Sequence, residues 1–479
     1  MDELAIYDCT AMPRHTDNAD FARVVYMKTE NYMDNFDRLN SFLGREETIS
    51  NSHRVRFVGK DSIDKNFSKA LSSVRLNLAQ AIINGNHYKI SIADINLWTQ
   101  IILNRILFIR VCEARGLERD GLLKDFAATD FWTEFKRSSY IDFYEHYDGP
   151  MFARIRHIQD LIIDNAVFDD LLSYLYYPSP YCFDVIPLKS ISDIYDLFLG
   201  YHLEYDDSGI LENVLKSEFR KSNGAVTTPE HIVHNTIDST VPSEYLQSLT
   251  NQQILDLKFL DPACGSGVFL VSIYDHLATQ IESNIEERKD VLPHRYLYEK
   301  DGKKYLNLEG RKLIVNQCLH GVDINQECVE VAKLSLSLKI IDGFEPIDFN
   351  NAGLYGSQIL HGVGVNIKCG NSLVEPDILE RFSCISENLE ELAATNVFDY
   401  KTAFCDIFSR GGFDYVIGNP PYVEVKNYNV ALPCMSAYIK QRYGSSRNGK
   451  IDLAIPFIER GIELLNEHGS LGYLSLIHI

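Results

Sequence analysis

The sequence has no Cys-x-x-Cys pair. Its ten cysteines (Cys9, Cys112, Cys182, Cys264, Cys318, Cys328, Cys369, Cys384, Cys405 and Cys434) are scattered, which argues against zinc knuckles and thioredoxin-like redox sites. The N-terminal MDELAIYDCT carries no basic segment followed by an apolar one, so nothing suggests export. The cysteines are therefore expected to be reduced thiols in a cytoplasmic protein. No apolar run is expected to span a bilayer, each being too polar or too short between charges. The greasiest, Ile95 to Val111, is broken by Asn104, Arg105 and Arg110. Basic residues are scarce, 46 Lys and Arg against 67 Asp and Glu, for a net charge of −21. A surface that gripped nucleic acid everywhere would be basic, which leaves room only for a local basic cleft. Repeats and low-complexity tracts are absent too, and the 45% hydrophobic, 24% charged composition excludes a disordered or collagen-like chain. At 479 residues the chain exceeds one ordinary core and points to two or three domains.

Three characters follow one another. Residues 1–55 hold two short strand-like runs, Ala5-Ile6-Tyr7 and Arg23–Met27, and a helix-periodic stretch with Phe36, Leu39, Phe42 and Leu43 on one face. Two strands and a helix cannot bury a core alone, so this piece is expected either to dock on the next domain or to have its partners upstream of Met1. Residues 56–222 read as helical. Ser91-Ile92-Ala93-Asp94 caps a helix that carries Ile95, Trp98, Ile102, Ile106, Ile109 and Val111, with Gly116 as its left-handed stop. Further helices are expected over Phe135–Tyr147, Ala153–Ile163 and Ile191–Leu203, and Arg105, Arg110 and Glu113 are expected to pair at helix ends. After Ser222-Asn223-Gly224 short apolar runs alternate with helical patterns: Leu255–Leu260, Leu319–Ile324, Val365–Lys368, Phe413–Gly418 and Ser470–Tyr473. Such alternation implies a mainly parallel, doubly wound sheet, with ligands at the carboxyl ends of its strands.

The residues after those runs carry the chemistry. The first run opens into Asp261-Pro262-Ala263-Cys264-Gly265-Ser266-Gly267, then an amphipathic helix. Gly265 and Gly267 allow close backbone approach to a ligand. Asp261 ahead of them would repel a pyrophosphate and suits a cationic or hydroxyl-rich ligand. The second run ends at Asp323-Ile324, where an acid is placed to accept from ribose hydroxyls. It lies much further from the glycines than the usual ~20 residues, which implies an insertion around Glu282–Leu313 with a hairpin at Asp301-Gly302. The third run ends in Asn371-Ser372. The fourth ends in Asn419-Pro420-Pro421-Tyr422: two prolines make a rigid turn, aiming the Asn419 amide oxygen and the Pro420 carbonyl at one exocyclic amino group. Tyr422 offers a face for a planar ring.

Taken in order, these motifs resemble the S-adenosylmethionine-dependent amino-group DNA methyltransferases that modify adenine N6, over roughly Gly224 to Tyr473. The resemblance implies a Rossmann-like methyltransferase domain at residues 223–473, preceded by an all-helical connector (56–222) and a short α/β remnant (1–55). It implies that Asp261, Ala263, Cys264, Gly265 and Gly267 form the cofactor loop, that Asp323 and Ile324 hold the ribose, and that Asn371 and Ser372 touch the cofactor's adenine. Thr227-Thr228-Pro229 is similar to the segment that holds the methionine end. Its place ahead of the glycine loop, with the catalytic motif Asn419, Pro420, Pro421 and Tyr422 after it, matches the γ arrangement. Many relatives have an aromatic residue where Thr227 stands and Asp where Asn371 stands. The implied partner is double-stranded DNA with its target adenine flipped from the stack, at a cost of about a few kcal/mol. Transfer would be direct, driven by positioning, with no metal and no covalent intermediate.

The helical block, with Leu103–Arg110 and Glu113-Ala114-Arg115-Gly116, resembles the connector of type IIG restriction–modification enzymes, which fuse nuclease, connector, methyltransferase and recognition domains. The strand at Ala5–Cys9 resembles the end of such a nuclease domain. No carboxylate D…E-x-K cluster stands in a strand context, Glu299-Lys300 lying in the insertion, so this chain is not expected to cut DNA by itself. Residues 474–479, Leu-Ser-Leu-Ile-His-Ile, match a translated transposon-end sequencing adaptor and are expected to be read-through, the chain being truncated at both ends. Lys440, Arg442, Arg447 and Lys450, in a segment with Tyr438 and Tyr443, are expected to form a loop that contacts DNA phosphates. Three other readings remain. One is a protein-glutamine or RNA methyltransferase; another is a phage-exclusion (BREX-type) adenine methyltransferase without nuclease; the last is a catalytically incomplete cofactor-binding fragment.

Overall fold

A computed structural model describes residues 3–7, 23–28, 36, 63–176, 179, 183, 200–206, 208–215, 228–288, 290, 292–300, 302–343, 359–429, 431–446 and 452–474. Thr227, Arg447 and Lys450, residues 475–479 and most of the stretch around Leu39–Leu43 lie outside them. The first described residues form an antiparallel pair, β1 (Glu3–Tyr7) and β2 (Arg23–Lys28).

The helical block opens with α1 (Ile63–Gly85) and α2 (Ile92–Ala114). Ser91 caps α2 as its position predicts, its Oγ accepting from the Asp94 N–H at 3.1 Å, and Gly116 ends the run at φ 72°. Among the described residues α2 is the one helix long and apolar enough to cross a membrane, yet 78% of that window is buried inside the protein. It is a core helix, buried on every side as its all-round apolar pattern implies. Shorter helices follow, Phe131–Tyr140, Asp142–Tyr147 and Ala166–Leu175 among them. Between Ala153 and Ile163 only Arg156–Asp160 is helical.

Arg110 and Glu113 do pair, at 3.5 Å. Arg105 instead donates to the Met151 and Ala153 carbonyls (2.8 and 2.7 Å), tying a loop to α2. The block is not helical to its end. Strands β3 (Tyr201–Tyr205) and β4 (Leu211–Leu215) form an antiparallel hairpin where the reading of Ile191–Leu203 had a helix; residues 191–199 lie outside the described residues. Asp206 closes the turn, its Oδ1 accepting from the Ser208 and Ile210 N–H groups (2.9 and 2.7 Å).

Beyond these, and apart from several shorter helices, the elements are α3 (Glu230–Thr240), β5 (Phe259–Asp261), α4 (Val268–Arg288), β6 (Leu297–Lys300), β7 (Lys303–Leu306), β8 (Leu319–Asp323), α5 (Gln326–Ile341), β9 (Ile367–Cys369), β10 (Phe413–Gly418), α6 (Pro433–Arg442), α7 (Ala454–Leu464) and β11 (Leu465–Tyr473). Strands β6 and β7 are the hairpin expected in the insertion, turning at Gly302 with φ 76°. Strand β5 is shorter than its apolar run, because Leu255 closes the preceding helix Asn251–Asp256. Strand β11 is longer than expected and follows α7 directly, and its pairing with β10 jumps from Phe413↔Leu465 to Tyr415↔Ser470.

The five-stranded sheet runs β11-β10-β5-β8-β9, all neighbours parallel. Alternate side chains feed two apolar layers, as the two-residue period of a strand requires. Phe259, Tyr415 and Ile417 join the core shared with the helical block, whereas Leu260, Val322 and Val416 join Phe398, Tyr400 and Phe404 on the other face. The sheet is therefore doubly wound. From β5 the chain moves outward through β8 to β9 and then returns to β10. This reversal puts a topological switch point between β5 and β10, where open α/β sheets keep their ligands.

Candidate active site

A cavity of about 460 Å³ opens at that switch point. Asp261, Ala263, Cys264 and Gly265 enter it from the end of β5, Asp323 and Ile324 from β8, Asn371 and Ser372 from β9, and Asn419 and Pro421 from β10. Thr228 lines it as well. One site thus gathers residues spread over nearly two hundred positions.

Each loop is held by its neighbours. Gly265 adopts φ 53° and Gly267 φ 89°. The freedom at Gly267 serves packing: a Cβ there would press on Ala332 of α5 at 3.3 Å, so this glycine brings two helices together, and it does not line the cavity. Both oxygens of Asp323 are oriented by backbone donors, Oδ2 by the Gly265 N–H and Oδ1 by the Asn325 N–H (2.9 Å each). Asp261 is fully buried beside Gly418, where any Cβ would collide with its Oδ1, and the same oxygen accepts from the Ala263 N–H at 3.1 Å. Burial pushes the Asp261 carboxyl up to about 8, and the nearby Asp323 charge adds to the rise.

Asn371 turns its Oδ1 to the Leu373 N–H (3.0 Å) and its Nδ2 toward the Met435 sulfur (3.4 Å). The Ser372 hydroxyl is engaged with the Pro262 carbonyl at 2.5 Å and the Tyr400 hydroxyl at 2.7 Å, which ties the β9 loop to the β5 loop. At the end of β10, Asn419 Nδ2 donates to Thr228 Oγ1 at 3.0 Å, so its Oδ1 is the end left as acceptor. The Tyr422 hydroxyl lies 2.8 Å from that oxygen and 2.6 Å from the Leu474 carbonyl, and its single proton serves one of them at a time. Pro420 is buried and Tyr422 half-buried; neither they nor Pro229 line the cavity. Burial raises the Cys264 and Cys369 thiols above their ordinary value, so neither is a ready nucleophile.

The apolar wall was not foreseen. Met435 and Ile439 of α6, Leu453, and Phe457 of α7 close one side of the cavity. The basic segment also differs from its reading. Lys440 and Arg442 sit on helix α6, not on a loop, and Tyr438 and Tyr443 are fully buried. Arg442 is gripped by Glu463 at 2.8 Å and Glu375 at 3.4 Å, while Lys440 rests on Asn429 at 3.0 Å.

The strand order and the cavity at its switch point define a Rossmann-like, doubly wound fold. The fold is shared with the type IIL restriction–modification enzyme MmeI, solved in complex with DNA, at a TM-score of 0.50 and 15% identity, covering 85% of this chain and 50% of that one. Residues 317–478 match the family model described as Eco57I restriction-modification methylase. The chain is 28% identical over 98% of its length to the type II restriction enzyme and methyltransferase RM.Eco57I of Escherichia coli, of which it covers 45%. It is 24% identical over 55% of its length to the adenine-specific methyltransferase PglX of Streptomyces coelicolor, covering 19% of that protein. The chain thus spans less than half the length of these curated relatives.

Proposed function

We propose that the chain is the modification part of a type IIG restriction–modification system, a site-specific DNA methyltransferase that carries a methyl group to adenine N6. The single observation that carries this reading is Asn419: it stands at the switch point with its amide orientation set by Thr228. Its oxygen is the acceptor that a flipped adenine's amino group needs. The relatives named above support the reading.

S-adenosylmethionine fits the residues present. The cavity is of ligand size, with the buried Asp261 and the backbone-oriented Asp323 as acceptors and an apolar wall opposite. Asp323 would hold the ribose hydroxyls, Ile324 and Asn371 the adenine, and Thr228 and Pro229, with Thr227 before them, the methionine end. When bound, the cofactor supplies an electrophilic methyl on a sulfonium. The chain's own part is positional. Asn419 Oδ1 and the Pro420 carbonyl would accept hydrogen bonds from the two amino hydrogens, which draws the nitrogen lone pair out of the ring. As the N–C bond forms and the sulfonium S–C bond breaks, one of those hydrogens leaves as a proton to water. Tyr422 stacks on the base and offsets part of the unstacking cost. Among the described basic residues, Lys440 is assigned to the DNA backbone, since its ammonium rests on a neutral amide, while Arg442 is held in structure by carboxylates. We place this reaction in the cytoplasm and divide the chain by sequence character at 55/56 and 222/223, the two later parts sharing one apolar core.

The test is Asn419→Ala. Titrated S-adenosylmethionine should bind within about threefold of the parent chain, whereas tritium transfer to adenine in DNA should fall by roughly 100-fold or more. Transfer at the parent rate overturns the assignment. A second reading, an adenine-specific methyltransferase working without a nuclease of its own, is compatible with the similarity to the adenine-specific methyltransferase PglX.

A further inference from the structure

Among the described residues, Arg75 of α1 is a wholly buried cation outside the active site, at 0% exposure. Its guanidinium donates to three partners from three different segments. They are the Tyr201 carbonyl of β3 (3.1 Å), Asn96 Oδ1 of α2 (2.8 Å) and Glu327 Oε2 of α5 (2.6 Å). Asn96 is itself locked, accepting from the Leu203 N–H and donating to the Leu203 carbonyl, 2.9 Å each. Parts of α2 and β3 therefore converge with α1 on Arg75, which in turn holds one carboxylate in the sheet domain.

That carboxylate is close to the cavity along the chain and by hydrogen bonds. Glu327 sits in the first turn of α5, and its N–H is capped by Asn325 Oδ1 at 2.8 Å. The Asn325 N–H holds Asp323 Oδ1, and Asp323 Oδ2 holds the Gly265 N–H of the β5 loop. Arg75, Glu327, Asn325, Asp323 and Gly265 are thus joined stepwise from the helical block to the cavity wall, by hydrogen bonds between residues and, within Glu327 and Asn325, by the covalent link from side chain to backbone N–H. A buried charge pair costs desolvation that an apolar pair would not, so bulk packing gives no reason for an arginine at this point. Holding one particular carboxylate at one particular height does.

We propose that Arg75 is a positioning residue for the cofactor cavity, acting through Glu327 to set the Asp323–Asn325 turn. The helical block is then part of the cofactor site. This rests on the reading of the cavity as the S-adenosylmethionine site. It predicts that the block's own order, including the β3–β4 hairpin held by the same arginine, is felt as cofactor affinity.

The experiment compares the parent chain with Arg75→Met and Glu327→Gln, by calorimetric titration of S-adenosylmethionine, by KM against kcat in methyl transfer, and by amide exchange over residues 323–327. Each variant should raise Kd and KM for the cofactor by about tenfold with kcat within about twofold, and should speed exchange in that turn. The double variant should be no worse than the worse single one, because both remove the same link. A parent chain that binds no S-adenosylmethionine brings down the reading of the cavity and this proposal with it. A parent that binds, with variants that bind equally and only melt earlier, brings down the proposal alone. If Arg75→Met fails to fold, Glu327→Gln, which keeps the side chain's shape, decides: a raised Kd supports the link and an unchanged Kd overturns it.

Discussion

Asp261 is the residue whose setting says most about the site's ligand. Its carboxyl is fully buried, with Asp323 close by, and its acidity is shifted up to about 8. A folded value above the unfolded one means that the folded chain holds the proton more tightly. The stability this group contributes is therefore complete below about pH 4 and is lost as the pH climbs to about 8. A cationic ligand reverses the preference, since it favours the ionised form. Cofactor affinity should accordingly rise between pH 6 and pH 8 by up to about tenfold per unit and level off above that. Titrations at a series of pH values measure the slope, and Asp261→Asn should flatten it. A slope that persists in Asp261→Asn, or a parent chain with none, would refute a role for this carboxyl. Gly418 belongs to the same argument: the carboxyl occupies the space of its missing Cβ, so the Gly-Asn junction before the prolines is part of the acid's binding site.

At the scale of elements, α7 is fastened to the active-site loops by Arg460. This nearly buried side chain donates to the Ser372 carbonyl at 3.1 Å, to Glu375 at 2.9 Å and to Glu463 at 3.1 Å, and lies over the Tyr400 ring. Removing Arg460 leaves the Ser372 carbonyl without this donor, while Glu375 and Glu463, both partly exposed, keep their pairing with Arg442. Arg460→Met should destabilise the fold by about 1–3 kcal/mol in urea unfolding, and a loss below about 0.5 kcal/mol would show the contacts to be incidental. The same elements show what a sequence displays and what it hides. The loops after β5, β8 and β10 were legible because a strand end followed by Asp, Gly or Asn-Pro-Pro is chemically conspicuous. The wall made by Met435, Ile439, Leu453 and Phe457 was not, since an apolar residue on a helix announces burial without saying against what. Arg442 looked like a DNA contact because Glu463, its partner, stands on a different helix 21 positions away. Gly267 looked like a ligand contact because the approach of Ala332 is a tertiary fact. Strand β5 was drawn too long, because the apolar run from Leu255 crosses a helix end before the strand begins.

For the whole molecule, the question is whether the helical block and the sheet domain are separate bodies. The chain changes character near residue 222, and a boundary was expected there. The buried apolar side chains do not follow it: one continuous cluster runs from Phe67 and Leu71 of α1, through Ile102 and Ile106 of α2, to Val331 and Leu338 of α5 and Ile417 of β10. Helix α2 has no solvent face on which an independent block could have closed. Its polar residues are likewise turned inward, Asn96 toward the β3 hairpin and Arg105 toward the Met151–Ala153 loop. Two bodies that share a dry core cannot unfold one at a time without exposing it, and the cost of that exposure enforces cooperativity. Ile106 is the probe: it is at 0% exposure in the middle of α2, far along the chain from every active-site residue. Ile106→Ala should cost about 2–5 kcal/mol, and the loss should appear equally in the amides of α2 and in those of α4 and α5, as a single calorimetric transition moved to lower temperature. Two transitions, with only the one that reports on α2 displaced, would instead show the helical block to be a tethered neighbour of the sheet domain.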